Sequence, residues 1–553
     1  MSFRKGCKVA NSAANKVDKS VATVMAEYIK AAKIPFIFAY PGDPIIEFME
    51  ASRALDIDIV LARREGTAAM MATGYAAATG NIGCVLSTLG PGSTNLVNGV
   101  AAANWDRLPM LAISGQIDTA REQYFTHQVV DHKLMFSPVT KWSGRVENGA
   151  VGTIMRKALR TATADRPGSV HLTVAEDVFK ATAKGGDVRI PPLSNVGTGM
   201  RVVRAPGSSA DPHKILANAK RPVFLSGIGA VRSGARDAMV ALAEKTGIPV
   251  VTAPMSKGSF PEDHPLFAGV VDMACQQVMW DFLESADLIV SVGFDCVELI
   301  KPWSATAPVL HIDSTENSDQ IYFADCEMVG SIPMMLDWLR EEWKGGTVWN
   351  TKEIEAHKTK LRDTYYSGKV AGKLNPTDVV DVVRAAMPKS TVGVSDVGSH
   401  KMLIGQGWTT YEPRGLLMTN GLSSMGYGIP AAIAASLTDR TRPVVAMVGD
   451  GGFAMAATEV RLAAERKLPI VFVVFVDHSL NRIEIKQMVR GYPSTATKIE
   501  DSDLVKMAEA MHCDGARASS IAELERIMAG AVGITRPLVV EARIDPGQYE
   551  AQF

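Results

Sequence analysis

From one end of this 553-residue chain to the other, short apolar runs alternate with helix-like stretches, and this alternation constrains the fold more than any other feature. It marks α/β layers built on parallel sheets. Early examples are the run PFIFAY, the run DIVLARRE followed by the small-residue stretch TAAMMATGYAAAT, and GCVLST followed by GPGST. A second unit carries RPVFLSGIGA, GIPVVTAP, DLIVSVGF and PVLHID; a third carries TVGVSDVG, RPVVAMVGDGG, LPIVFVVFVD and PLVVEARI. Gly, Pro and Ser collect around residues 184–211, which reads as an interdomain linker. Residues 344–375 are polar and predict a charged connecting helix. The chain is too long for one core. We expect three doubly wound parallel-sheet domains, at 1–183, 184–357 and 358–553.

Composition removes several function classes. Lys and Arg total 58 against 59 Asp and Glu, for a net charge of −1, so no global field draws in nucleic acid or an anionic membrane. No run approaches the roughly 18 apolar residues of a membrane span. The first twenty residues are basic without a following apolar segment and do not read as a secretory signal. Six scattered cysteines, Cys7 among them, include no C-x-x-C pair and read as reduced thiols. The expected location is cytoplasmic.

The chemistry concentrates late in the chain. A strand ends in Gly449-Asp450-Gly451-Gly452, a helix follows, and the next strand ends in Asp477-His478-Ser479. A strand–helix–strand crossover of this length returns the chain to a parallel strand, and both aspartates then sit at carboxyl ends, where open α/β sheets bind ligands. Two carboxylates placed together repel unless a cation separates them. Magnesium takes oxygen ligands and commonly joins carboxylates to phosphates. The glycines leave main-chain N–H groups open to phosphate oxygens in front of a helix N-terminus. The main chain near Ser479 is a further candidate ligand.

This assembly resembles the signature of thiamine-diphosphate-dependent enzymes, a Gly-Asp-Gly followed some 25–30 residues later by Asn or Asp. Here Val476-Asp477 stands where that family often has Asn-Asn or Asn-Asp. The resemblance implies thiamine diphosphate and Mg2+ as cofactors, with Asp450, Asp477 and Ser479 at the metal. It implies cofactor contacts from Gly449, Gly451 and Gly452, and from Ser479, Leu480 and Asn481. Arg63-Arg64-Glu65 resembles the family's Arg-His-Glu, with the middle residue replaced. Glu65 would then hydrogen-bond the aminopyrimidine ring nitrogen, a task suited to a carboxyl group sheltered from water. Its alternative is a first-turn glutamate favoured by the helix dipole. Leu422 to Pro430 looks like the segment supporting the bent cofactor, with Met425 between the rings and the Ser423 carbonyl accepting from the exocyclic amine. Val397-Gly398-Ser399-His400 resembles a diphosphate-holding loop, although His400 also reads as a packed surface histidine. In this family the cofactor lies between two subunits, which implies a homodimer or homotetramer.

Thr126-His127-Gln128, Met135 to Trp142 and Arg166 to Val170 look most like the acetolactate-synthase branch. Val292 to Glu298, with Lys301-Pro302-Trp303, resembles the catabolic form. The Arg-Phe-Asp-Asp-Arg stretch of flavin-containing synthases is absent, which argues against FAD. The N2-(2-carboxyethyl)arginine synthase family is comparably similar. No adjacent histidines occur, unlike in pyruvate decarboxylases. The substrate would be a 2-oxo acid, decarboxylated and then joined to a second carbonyl compound. The alternative is a decarboxylase or lyase acting on a bulkier 2-oxo acid or 2-hydroxy acyl compound, with His127 as a candidate. Gln128 and a helix face carrying Ile483, Lys486 and Gln487 would select substrate. Lys486 also reads as a solvated lysine.

Overall fold

The computed structural model describes residues 18–184, 187–193 and 199–552. The readings of the basic N-terminus and of Cys7 lie outside them. Three α/β domains follow one another, each with its own sheet. The first sheet runs, edge to edge, Asp58–Leu61, Phe36–Ala39, Gly83–Ser87, Met110–Gln116, Ser169–Ala175 and Trp142–Arg145, all parallel. The third runs Leu416–Met418, Val392–Ser395, Val444–Gly449, Ile470–Val476, Leu538–Arg543 and Asp514–Ala518, again all parallel and in the same relative order. The outer domains therefore share one topology.

Strand Ile470–Val476, IVFVVFV, is buried along its whole length, as expected for a parallel strand covered on both faces. Each such Val, Ile or Phe contributes about 1.5–3 kcal/mol through burial. One apolar core continues from the first domain into the third, from Phe38 and Ala69 to Ile433 and Phe472. At its centre helix Glu65–Thr79 crosses helix Gly428–Thr438. The approach is close: a Cβ on Gly74 would lie 2.4 Å from the Ala431 Cα.

The central sheet departs from the expected form at one edge. Six parallel strands, from Phe267–Val270 to Cys326–Gly330, are joined by Met200–Arg204, which pairs antiparallel with Cys326–Gly330. That strand lies inside the stretch read as a linker. Its local composition hid a segment whose main chain completes a sheet. The expected connecting helix is Thr351–Tyr365, capped by Asn350, and the 357/358 limit falls within it. A cavity of about 350 Å3 opens where the three domains meet, with Gly229, Arg232 and Arg414 on its wall; none of the expected site residues lines it. Among the described residues, no helix is long and apolar enough to cross a membrane.

Candidate functional site

In the third sheet the strand order reverses between Val392–Ser395 and Val444–Gly449, and the crevice beyond such a reversal is where open α/β sheets receive ligands. The stretches 396–400 and 449–452 leave from those two strands. The next strand in the sheet, Ile470–Val476, ends beside them and delivers Asp477. The expected crossover is present, with Gly449 in register with Phe475.

Asp450 is the first residue of helix Asp450–Ala456, a position the helix dipole favours for an acid. One of its oxygens accepts from the Gly451 N–H at 2.7 Å; the other accepts from the N–H groups of Asp477 at 3.2 Å and His478 at 2.8 Å. The carboxylate of Asp477 accepts from the Ser479 N–H at 3.1 Å. Burial and the neighbouring Asp450 charge push the Asp477 carboxyl up to about 7. Burial raises Asp450 too, against the three N–H groups that favour its ionised form. His478 turns in the left-handed region (φ 57°) to fold the loop back. The Ser479 hydroxyl bonds the Glu484 carboxylate, and Lys498 pairs with Glu484 at 2.5 Å.

Glycines set how closely other groups approach. A Cβ on Gly451 would meet Leu480 at 2.9 Å and the Met425 Cε at 3.4 Å; one on Gly452 would meet the Asp396 carboxylate at 2.2 Å. Asp396 is fully buried and accepts from Val397 at 2.8 Å and from Gly426 and Tyr427 at 3.1 Å each. It ties the 397–400 loop to the turn at 422–428, and burial pushes it up to about 6. The sequence reading missed it; the one available signal was an acid placed directly after an apolar strand.

His400 is buried, contrary to the surface alternative. Its ring stacks on Phe475, with centroids 5.3 Å apart, in room left by the missing side chains of Gly398 and Gly449. Burial drives it down to about 3, and its Nε2 has no hydrogen-bond partner. The Ser399 hydroxyl donates to the Asn481 side chain at 3.0 Å. Ser423 adopts the left-handed region (φ 52°), held by the buried Lys401, which donates to Asn420 at 2.8 Å and to the Ser423 hydroxyl at 3.3 Å. Asp106 grips the same turn from the first domain, accepting from the N–H groups of Asn420 and Gly421.

Glu65 is buried as the first residue of its helix, and Asn95 donates to its Oε2 at 3.0 Å. One helical turn further along the Asn95 helix, Asn98 donates to the Ser424 hydroxyl at 2.8 Å. The glutamate and the Ser423–Met425 turn are thus bridged by one helix within a single chain. Gln128 is exposed and left-handed (φ 59°); its backbone lies against Gly90, at the start of that same helix. His127 is exposed and packs edge-on against Phe125. Ile483 and Lys486 lie on helix Asn481–Val489, as expected, and both face solvent. Gln487 instead binds both main-chain groups of Thr495.

Residues 19–135 match the thiamine pyrophosphate enzyme N-terminal TPP binding domain, 212–339 the central domain and 396–542 the C-terminal TPP binding domain. A probable acetolactate synthase large subunit of Methanocaldococcus jannaschii is 30% identical, the match covering 95% of this chain and 92% of that protein. A catabolic acetolactate synthase of Raoultella terrigena is 28% identical over 95% of each chain, and the acetolactate synthase of Bacillus subtilis 27% over 93% of this chain and 91% of its own. Fold, strand order and relatives agree that the chain belongs to the thiamine pyrophosphate enzyme family, as an acetolactate-synthase-like enzyme dependent on thiamine diphosphate.

Proposed function

We propose that this enzyme decarboxylates a 2-oxo acid and joins the remaining acyl unit to a second carbonyl compound, as an acetolactate synthase does. The observation that carries the reading is the grouping of Asp450, Asp477, His400 and the glycines at one strand-order reversal, in a chain matched almost end to end by acetolactate synthases. Bound thiamine diphosphate supplies the nucleophilic carbon and the electron sink for loss of carbon dioxide. The residues present suit it. The buried His400 ring, beside Gly398 and Gly449, keeps an Nε2 without a hydrogen-bond partner, a polar atom that a bound group could satisfy. Asp450 and Asp477, each raised by burial, are relieved by a divalent cation, so these two and the main chain at Ser479 would hold Mg2+.

Glu65 holds the proton shared with the aminopyrimidine ring nitrogen. Asn95 occupies its Oε2 and leaves Oε1, beside Gly92, for that proton. Lys401, Asp106 and Asp396 fix the turn that presents the Ser423 carbonyl and the Met425 side chain. Gln128, with the exposed Ile483–Lys486 face, selects the substrate.

Incubated with pyruvate, thiamine diphosphate and Mg2+, the protein is expected to release carbon dioxide and form acetolactate. Aldehyde without acetolactate would favour the decarboxylase or lyase reading, and neither product across a broad pH range would remove pyruvate carboligation. The metal assignment has its own check. At 100-fold excess over its dissociation constant the cofactor stabilises the fold by about 2.7 kcal/mol. That thermal shift should vanish with a chelator, or on Asp450→Ala, and return in the wild type when Mg2+ is restored.

A further inference from the structure

We propose that Glu459 is a positioning residue for Glu65: it fixes, from the third domain, the strand-to-helix junction that presents the Glu65 carboxyl group. The inference rests on the proposed role of Glu65 and adds to it a residue that neither the cofactor signature nor the site geometry had called for.

Glu459 opens helix Glu459–Glu465 and is 0% exposed. A carboxyl group is costly to bury without partners, so its contacts are informative. Its Oε1 accepts from the Arg63 N–H at 2.8 Å and meets the Thr67 hydroxyl. Arg63 stands two residues before Glu65 and Thr67 two residues after it. One oxygen atom therefore grips the chain on both sides of the glutamate. The Glu65 helix has no local anchor of this kind, because Arg64 at its N-cap makes no side-chain capping bond. The other ties between the same segments lie outside this grip and are partly exposed: Arg466 with Asp58 at 2.9 Å, and the Arg63 guanidinium with Glu465.

Thr67 has one hydroxyl hydrogen and two acceptors in reach, the Arg64 carbonyl at 2.7 Å and Glu459. Both contacts are full hydrogen bonds when Glu459 carries a proton and donates to Thr67, which then donates to Arg64. Burial pushes the Glu459 carboxyl in that direction.

The test uses the full-length protein and the variants Glu459→Ala, Glu459→Gln and Thr67→Val. Two readouts need no substrate: deuterium uptake at the Arg63 amide in the cofactor-free protein, and the rate at which the C2 hydrogen of bound thiamine diphosphate exchanges with heavy water. A misplacement of 1 Å costs about 100-fold in a positioned reaction. Glu459→Ala should therefore expose the Arg63 amide and slow C2 exchange by at least about 10-fold and up to about 100-fold, with cofactor affinity nearly unchanged. Glu459→Gln keeps an acceptor for the Arg63 N–H and should retain most of the exchange rate. Thr67→Val, a milder change, should slow exchange by less than Glu459→Ala and covers the case in which the alanine variant does not fold. Wild-type exchange in Glu459→Ala or, should that variant not fold, in Thr67→Val overturns the inference, as does a loss that merely follows loss of cofactor binding. Glu65→Gln separates the two levels. If it exchanges at the wild-type rate, the reading of Glu65 falls; if it is slow while Glu459→Ala is not, only the positioning role falls.

Discussion

Glu65→Gln is expected to lower turnover by about 100- to 10,000-fold, the range of positioned proton transfer, while Mg2+-dependent binding of thiamine diphosphate survives. The amide matches the carboxyl group in shape and can still accept from Asn95 through its carbonyl oxygen, so helix Glu65–Thr79 should stay in place. What the amide cannot do is share a proton at the free position beside Gly92. Steady-state kinetics paired with calorimetric titration of the cofactor makes the comparison. Turnover within a few-fold of wild type would refute the activation role, and loss of cofactor binding would reassign Glu65 to affinity rather than chemistry.

The largest stability effect should come from a pair far from that chemistry. The Lys257 ammonium lies 2.7 Å from Glu262, with side-chain exposures of 0% and 3%. Burial drives the two in opposite directions, Lys257 down and Glu262 up, and the charge of each pulls the other back. Glu262 also accepts from the Thr410 N–H at 2.9 Å, so the pair joins the central domain to the third. Removing one member of a buried pair strands the other; Lys257→Met should destabilise the protein by about 3–5 kcal/mol. The double variant Lys257→Met/Glu262→Leu should recover much of that loss, because no charge is left unpaired. Chemical denaturation of the three proteins decides the matter, and equal stability of Lys257→Met and wild type would show that the pair contributes nothing.

The parts of the site that could be read from sequence are those whose neighbours are fixed by local rules. Asp450 and Asp477 were legible because a crossover between adjacent parallel strands dictates where a residue following each strand must lie. The helix Asn481–Val489 was legible too, and so was the solvated reading of Lys486, but the exposure of Ile483 was not. Contacts across domains left no such trace. Glu459 meets Arg63 across 396 positions, and nothing in ATEVRLAAERK distinguishes that glutamate from its solvated neighbours. Lys401 reads as an ordinary polar residue until Asn420 and Ser423 close over it. The surface alternative for His400 failed for a related reason: its burial depends on two glycines at 398 and 449 that come together only in the folded sheet. The helix expected after Gly452 is present as Glu459–Glu465, but a separate helix, Asp450–Ala456, precedes it and was not foreseen.

The antiparallel edge of the central sheet has a consequence for how the chain matures. Strand Met200–Arg204 leaves the ribosome before the other strands of its sheet, yet its partner is Cys326–Gly330, the last of them. In a chain that emerges N-terminus first, the early strand must wait, unpaired, while the whole central domain is made, and non-local pairing of this kind is slow. Its outward-facing Arg201 and Arg204 are side chains of the sort that discourage an open edge from recruiting other strands during that interval.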